Sequence, residues 1–181
     1  MRRDAQTRRE ALLKAAAECF ARSGYLVPLE DIAERAGVGR GTLYRNFKDR
    51  MALALAIFER ELDKLDARLD PTLPLDRAIL DLVLGGAEAS ALFTRLKTEM
   101  PFDDDNVAAF DQLGERFMAI LQPLVERAHA DGTLRADAGA REVMLAIRMM
   151  GGLIRPYRSG GDMHREVTEA LSIVFRGLSP R

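Results

Sequence analysis

The chain has 181 residues, 48% of them apolar and 30% charged, and a formal net charge of −1. This is the composition of a soluble globular protein of one or two domains. The single cysteine rules out an internal disulfide and fits a reducing cytoplasm, the opening MRRDAQTRREALLKAAAECF lacks an apolar signal core, and no run approaches the roughly 18 apolar residues of a membrane span.

The near-neutral total conceals an uneven distribution. Residues 1–50 hold 11 Lys and Arg against 7 Asp and Glu, a surplus of +4, and the remainder carries −5. A positive end joined to an acidic body suits a polyanion met at that end alone.

In chain order, Met1 to Ala5 is a short polar arm with Arg2 and Arg3, read as a loose terminus, the alternative being a minor-groove arm. From near Thr7 to about Ser23, Leu12, Leu13, Ala16, Ala17 and Phe20 form one helical stripe, and Gly24 stops the helix. Cys19, beside Ala16 and Phe20, reads as a packed apolar residue. A second, short helix carries Leu29, Ile32, Ala33 and Ala36 at helical spacing and ends where Gly37 and Gly39 flank Val38. A third follows from Arg40 to Phe47, with Leu43 and Phe47 four apart on one face and Arg40, Thr42, Tyr44, Arg45 and Asn46 around the others. Two guanidiniums, a hydroxyl, a phenol and an amide on a short exposed helix suit base edges and phosphate oxygens of a major groove. The pattern predicts a helix-turn-helix.

The stretch DIAERAGVGRGTLYRNFKDRMAL also resembles the DNA-binding signature of the TetR family of bacterial transcriptional regulators, densely from about Arg8 to Leu55 and in helix layout beyond. The resemblance implies an all-helical dimer with an N-terminal reading head and a ligand-binding C-terminal part. Three positions depart from the family pattern. Val27-Pro28-Leu29 stands where a Thr or Ser often caps the second helix, Asn46 replaces the usual His, and Arg50 replaces the usual Lys. Pro28 in the first turn substitutes for a side-chain cap.

A fourth helix is expected to begin near Asp49, with Met51, Leu55, Phe58, Leu62, Leu65 and Leu69 as an apolar seam widened near its start by Ala52, Leu53, Ala54, Ala56 and Ile57. Pro71 and Pro74 punctuate its end; a fifth helix follows from Leu75, and a sixth runs from Ala87 until Pro101. Asp103, Asp104 and Asp105, with Glu99 nearby, read as the cap and first-turn acids of a seventh helix rather than as a metal site. That helix spans about Asn106 to Ala130, with a kink expected at Pro123. An eighth, about Ala138 to Arg158, is apolar around most of its girth, and a ninth runs from about Asp162 to Gly177. The resemblance implies that the last two pair with their copies in a dimer. Gly151-Gly152 suggests a close helix crossing at the dyad. Arg141, Arg148 and Arg155 recur every seventh residue, forming either an ion-paired surface or a cationic wall for an anionic ligand.

The expected fold class is therefore all-α: a three-helix helix-turn-helix DNA-binding domain over residues 1–50, joined by a long fourth helix to a ligand-binding and dimerisation domain over residues 51–181, about nine helices in all. DNA contacts are assigned to Arg40, Thr42, Tyr44, Arg45, Asn46 and Arg50. A pocket for a hydrophobic or aromatic small molecule is assigned to Phe93, Leu96, Met100, Phe102, Phe110, Phe117, Met144 and Ile147. His129 and His164 lie far apart, and no HExxH, GxSxG or phosphate-loop motif appears, so neither enzyme chemistry nor a metal or cofactor is expected. The function expected is that of a DNA-binding regulator, a repressor released from a palindromic operator by its ligand. The alternatives are a regulator without a ligand and a helical dimeric protein adaptor.

Overall fold

The computed structural model describes residues 2–100, 103–151 and 160–180, and among these the side chains of residues 2, 3, 104 and 105 are left out. Phe102, Arg155 and the expected helix beyond Gly151 thus lie outside the described residues, together with the side chains of Arg2, Arg3, Asp104 and Asp105. The described residues form nine α-helices and no strand: α1 Arg2–Ser23, α2 Leu29–Arg35, α3 Arg40–Asn46, α4 Arg50–Arg68, α5 Leu75–Gly85, α6 Ala87–Glu99, α7 Asp104–Ala130, α8 Ala140–Gly151 and α9 Gly160–Leu178. The all-α reading holds. Contrary to the loose arm expected, α1 begins at Arg2, with Asp4 in its first turn where a carboxylate complements the helix dipole.

The chain divides into two compact units, the first made of Met1–Glu61 and Ala91–Leu113. Its core gathers Leu12, Leu13 and Phe20 of α1, Ile32 of α2, Leu43 of α3, Leu53 and Ile57 of α4 and Leu96 of α6. The face α4 buries is centred on Leu53, Ala54 and Ile57, while Met51 and Leu55 of the expected seam are only half-buried. Phe58, Phe93 and Phe110 close a triangle with ring centroids 4.8 to 6.0 Å apart, a geometry that favours edge-to-face aromatic contact.

Helix ends in this unit are set locally. At Gly24, φ is +87°, and its N–H donates to Phe20 O at 2.9 Å. After α2, Gly37 takes φ +67°, its N–H bonds to Glu34 O and that of Val38 to Ala33 O, both at 3.0 Å. This pair of bonds is a Schellman motif, which satisfies carbonyls that the end of α2 would otherwise leave open. Gly39 needs no such freedom: it caps α3 in extended backbone at φ −72°. Asp49 caps α4, its Oδ1 accepting from Ala52 N at 2.7 Å.

The second unit comprises Leu62–Ser90 and Gly114–Arg181. Here α5 packs on α8 and α9, and α8 on α9, around Ile79, Leu121, Leu124, Val143, Met150 and Val167. Pro74 precedes α5 as its N-cap, and Pro123 lies inside a continuous α7. Arg135 closes the far end of α9, its N–H donating to Leu178 O at 2.9 Å and its Nη1 to Gly177 O at 3.0 Å. Gly151, expected at a dyad, also has a close neighbour within its own chain. A methyl group there would come within 2.8 Å of Ser90 Oγ on α6.

Among the described residues, a methyl group at Gly37 would touch nothing within 4 Å, so only the backbone demands glycine there. Gly37→Ala is expected to lower unfolding free energy by about 1–2 kcal/mol. Gly39→Ser should change it by only a few tenths of a kcal/mol. Urea titration of the two variants checks this, and equal effects would show that the turn does not depend on the positive φ.

Candidate nucleic-acid interface

At only seven residues, α3 is anchored by Leu43, 1% exposed, and by Phe47 at its C-cap, 3% exposed. Both enter the first unit's core beside Ile32. The guanidinium of Arg9 lies 5.1 Å from the Phe47 ring centroid, in the range of a cation–π contact.

The opposite side of α3 holds the predicted donors. Arg40, Tyr44 and Arg45 are exposed, and Thr42 and Asn46 are half-buried. Tyr44 leaves 50% of its surface open, more than its packing would require of an aromatic residue. Arg45 is held along its own helix by Nε to Gly41 O at 2.9 Å and Nη2 to Thr42 Oγ1 at 3.3 Å, and Asn46 Nδ2 donates to Thr42 O at 2.7 Å. Such bonds hold the long side chains before any partner arrives, reducing the entropy lost when one does. Lys48, 84% exposed at its side chain and 3.7 Å from Asp49, extends the basic edge.

Arg50 is placed differently from the other five predicted donors. Its Nη1 donates to Tyr25 O at 2.5 Å and also to Val27 O, and its guanidinium lies 5.5 Å from the Tyr25 ring centroid. It therefore braces the turn between α1 and α2. From α6, Arg95 Nη1 donates to Ala21 O at 2.5 Å, Glu99 Oε2 accepts from Tyr25 N at 2.6 Å, and Arg95 Nε donates to Glu99 Oε1 at 3.0 Å. The Tyr25 N–H first, and Arg95 second, hold the Glu99 carboxyl below the usual carboxylate range. Glu18 and Arg35 tie α1 to α2 with Nε to Oε2 at 2.8 Å. Burial pushes the Cys19 thiol up, in keeping with a packed and unreactive side chain.

Sequence reasoning missed Arg9, Arg95 and Glu99. Arg9 stands three and four residues before the buried Leu12 and Leu13, a spacing that marks the rim of the buried stripe. The roles of Arg95 and Glu99 have no local signal, since their partners lie 74 residues away. Of the residues assigned to a ligand pocket, Phe93, Leu96, Met100 and Phe110 belong to the first unit's core, while Phe117, Met144 and Ile147 belong to the second's. Among the described residues, no cluster of His, Cys, Asp and Glu could hold a metal ion, and no helix is long and apolar enough to cross a membrane. Asp103 Oδ1 accepts from Asn106 N at 2.9 Å, the capping role expected of it.

Residues 12–57 match the family described as bacterial regulatory proteins, tetR family. The HTH-type transcriptional activator FasR of Mycolicibacterium smegmatis is 42% identical over 59 residues, which are 32% of this chain and 27% of FasR. The chain thus matches well under half the length of this curated relative. Over nearly full length, the chain is similar to a TetR transcription regulatory protein of Mycobacterium vanbaalenii, with 26% identity, a TM-score of 0.66 and 99% of each chain covered. It also shares the fold of the transcriptional regulator FadR of Bacillus subtilis, solved with stearoyl-CoA, at 15% identity and a TM-score of 0.74, covering 93% of this chain and 98% of FadR.

Because the Glu99 carboxyl is held below its unfolded value, the stability it contributes is present above the ordinary carboxylate range and is lost as pH falls through the folded pKa. Glu99→Gln is therefore expected to lower the thermal midpoint at pH 7, with the gap from wild type closing below about pH 4. Thermal melts at several pH values decide it; a gap of constant size would remove the carboxylate's charge from the account.

Proposed function

The chain belongs to the TetR family of bacterial regulatory proteins, and from that membership we propose that it is a DNA-binding transcriptional regulator, a repressor that grips a palindromic operator as a dimer in the cytoplasm and is released by a small hydrophobic or aromatic ligand. The observation that carries the reading is α3 itself, with one face buried through Leu43 and Phe47 and the other offering Arg40, Tyr44 and Arg45 to solvent. Residues 1–50 are taken as the DNA-binding part and residues 51–181 as the ligand-binding and dimerisation part. Arg40, Thr42, Arg45 and Asn46 are proposed to contact bases or backbone and Tyr44 a phosphate, with Arg9 and Lys48 adding positive charge beside them. Arg50 serves this interface by fixing the α1–α2 turn.

Dimerisation is supported by the apolar side chains α8 and α9 leave open: Leu145 is 46% exposed, Met149 65% and Ile173 66%. Arg141 and Arg148 stand on the same exposed side of α8, where they suit a polar rim of such an interface. Two reading heads on one dimer would meet half-sites about one helical turn apart. The ligand is proposed to act by its differential affinity for DNA-competent and incompetent dimers. Stearoyl-CoA in Bacillus subtilis FadR is an acyl ligand of that protein; the apolar residues Phe117, Met144 and Ile147 would suit a hydrophobic one here.

The test begins with selection of duplexes from a random-sequence pool by the purified protein. Arg40→Ala is expected to cost about 1–3 kcal/mol on the selected site and to relax preference at one position, whereas Tyr44→Phe should weaken all sequences alike. Binding isotherms on matched and mutated duplexes read both effects, and an unchanged base preference in the Arg40 variant would remove it from the readout. Met149→Glu should shift sedimentation toward monomer and lower affinity for a two-half-site duplex more than for a single half-site. A variant that sediments as wild type would exclude this face from the interface.

A further inference from the structure

The turn and reading helix carry three glycines, and the fold accounts for them unequally. Gly37 is required by its positive φ, and Gly39 is an ordinary N-cap residue. Gly41 is the second residue of α3, lies in helical backbone without positive φ, and is exposed. Among the described residues, a methyl group at Gly41 would meet no heavy atom within 4 Å outside its own helix backbone and chain neighbours. Even the Arg45 guanidinium, which bonds to the Gly41 carbonyl, leaves that space empty. Glycine in a helix forgoes the smaller unfolded-state entropy that alanine would bring. Folding therefore supplies no reason for its presence.

The surroundings supply one. Gly41 shares a face with Tyr44 and Arg45, three and four residues on, and Arg40 adjoins it. The result is a dent in the helix framed by two guanidiniums and a phenol. A helix with its side chains is about 10–12 Å across, and the major groove is about 12 Å wide, so the depth a helix reaches depends on what projects from its leading face. In helix-turn-helix docking that leading face is the N-terminal part of the second helix.

We infer that Gly41 is the point of closest approach between this protein and duplex DNA, where base-pair edges occupy the space a side chain would fill. The inference rests on the DNA-binding reading above and adds a residue that acts by what it lacks. Arg40, Tyr44 and Arg45 reach their partners because the helix axis sits deeper than a side chain at position 41 would allow.

Stability and affinity then respond to substitution in opposite senses. Gly41→Ala is expected to raise the thermal midpoint by about 1–4 °C while weakening binding to the wild-type-selected duplex about tenfold. Gly41→Leu, with a side chain equally suited to a helix, should remain folded and bind more weakly still. Calorimetry and fluorescence anisotropy on the same preparations give both readouts. Wild-type selection of no sequence would overturn the DNA-binding reading, and this inference with it. Wild-type selection of a site that the alanine and leucine variants bind equally well would overturn the role of Gly41 alone. A fall in midpoint for the alanine variant would show that the fold itself requires glycine there, and would also overturn it.

Discussion

A helix of seven residues has too few internal bonds to offset the entropy of its own nucleation. That constraint governs the reading head. α3 persists because Leu43 and Phe47 are removed from water, each burial stabilising by about 1.5–3 kcal/mol, and because a Schellman turn at Gly37 delivers the chain to its first residue. With the inner face supplying the stability, the outer face carries no packing duty. Arg40, Tyr44 and Arg45 can therefore be chosen for what they bind, and a change of base preference need not change the fold.

The same economy appears one turn earlier. The segment between α1 and α2 runs through largely buried residues, Gly24, Tyr25 and Val27, where an unpaired backbone group is costly. Arg50 takes the carbonyls of Tyr25 and Val27, Glu99 takes the Tyr25 N–H, and Arg95 takes the Ala21 carbonyl. Two of these three side chains come from α6, far along the sequence. The proposed reading surface lies within the first 50 residues, yet the turn that orients α2 is completed by a later helix. Any displacement of α6 must either carry this turn with it or leave polar groups unmet.

What the sequence disclosed is what local physics determines. Gly24, Gly37, Asp49, Pro74 and Asp103 end or begin helices as their chemistry dictates, and the four-residue spacing of Leu43 and Phe47 identified the buried side of α3. The features that escaped depend on contacts between distant segments. The bonds Arg50 makes escaped because nothing nearby reveals that two carbonyls lie within its reach. On α4, apolar residues surround the first turns, so periodicity alone could not single out Leu53, Ala54 and Ile57 as the deepest. At Gly151 the sequence marks a close approach without naming the neighbour, which within the chain is Ser90. Residue type likewise grouped Phe93, Leu96, Met100 and Phe110 with Phe117, Met144 and Ile147, which the fold divides between two cores.

The uneven reach of the family match has a physical cause. Residues 12–57 hold much of the first unit's buried core, from Leu12 to Ile57, together with the helix proposed to enter a groove. The C-terminal helices are held together by apolar stripes, which many sequences can supply. The fold is accordingly shared with Bacillus subtilis FadR at 15% identity, but side chains that would touch a ligand are free to differ. The sign of regulation is freer still. FasR, matched over 59 residues, is an activator by name, and nothing in a helix-turn-helix distinguishes activation from repression. Both are linkage, differing in whether the ligand binds more tightly to the dimer that fits DNA or to the one that does not.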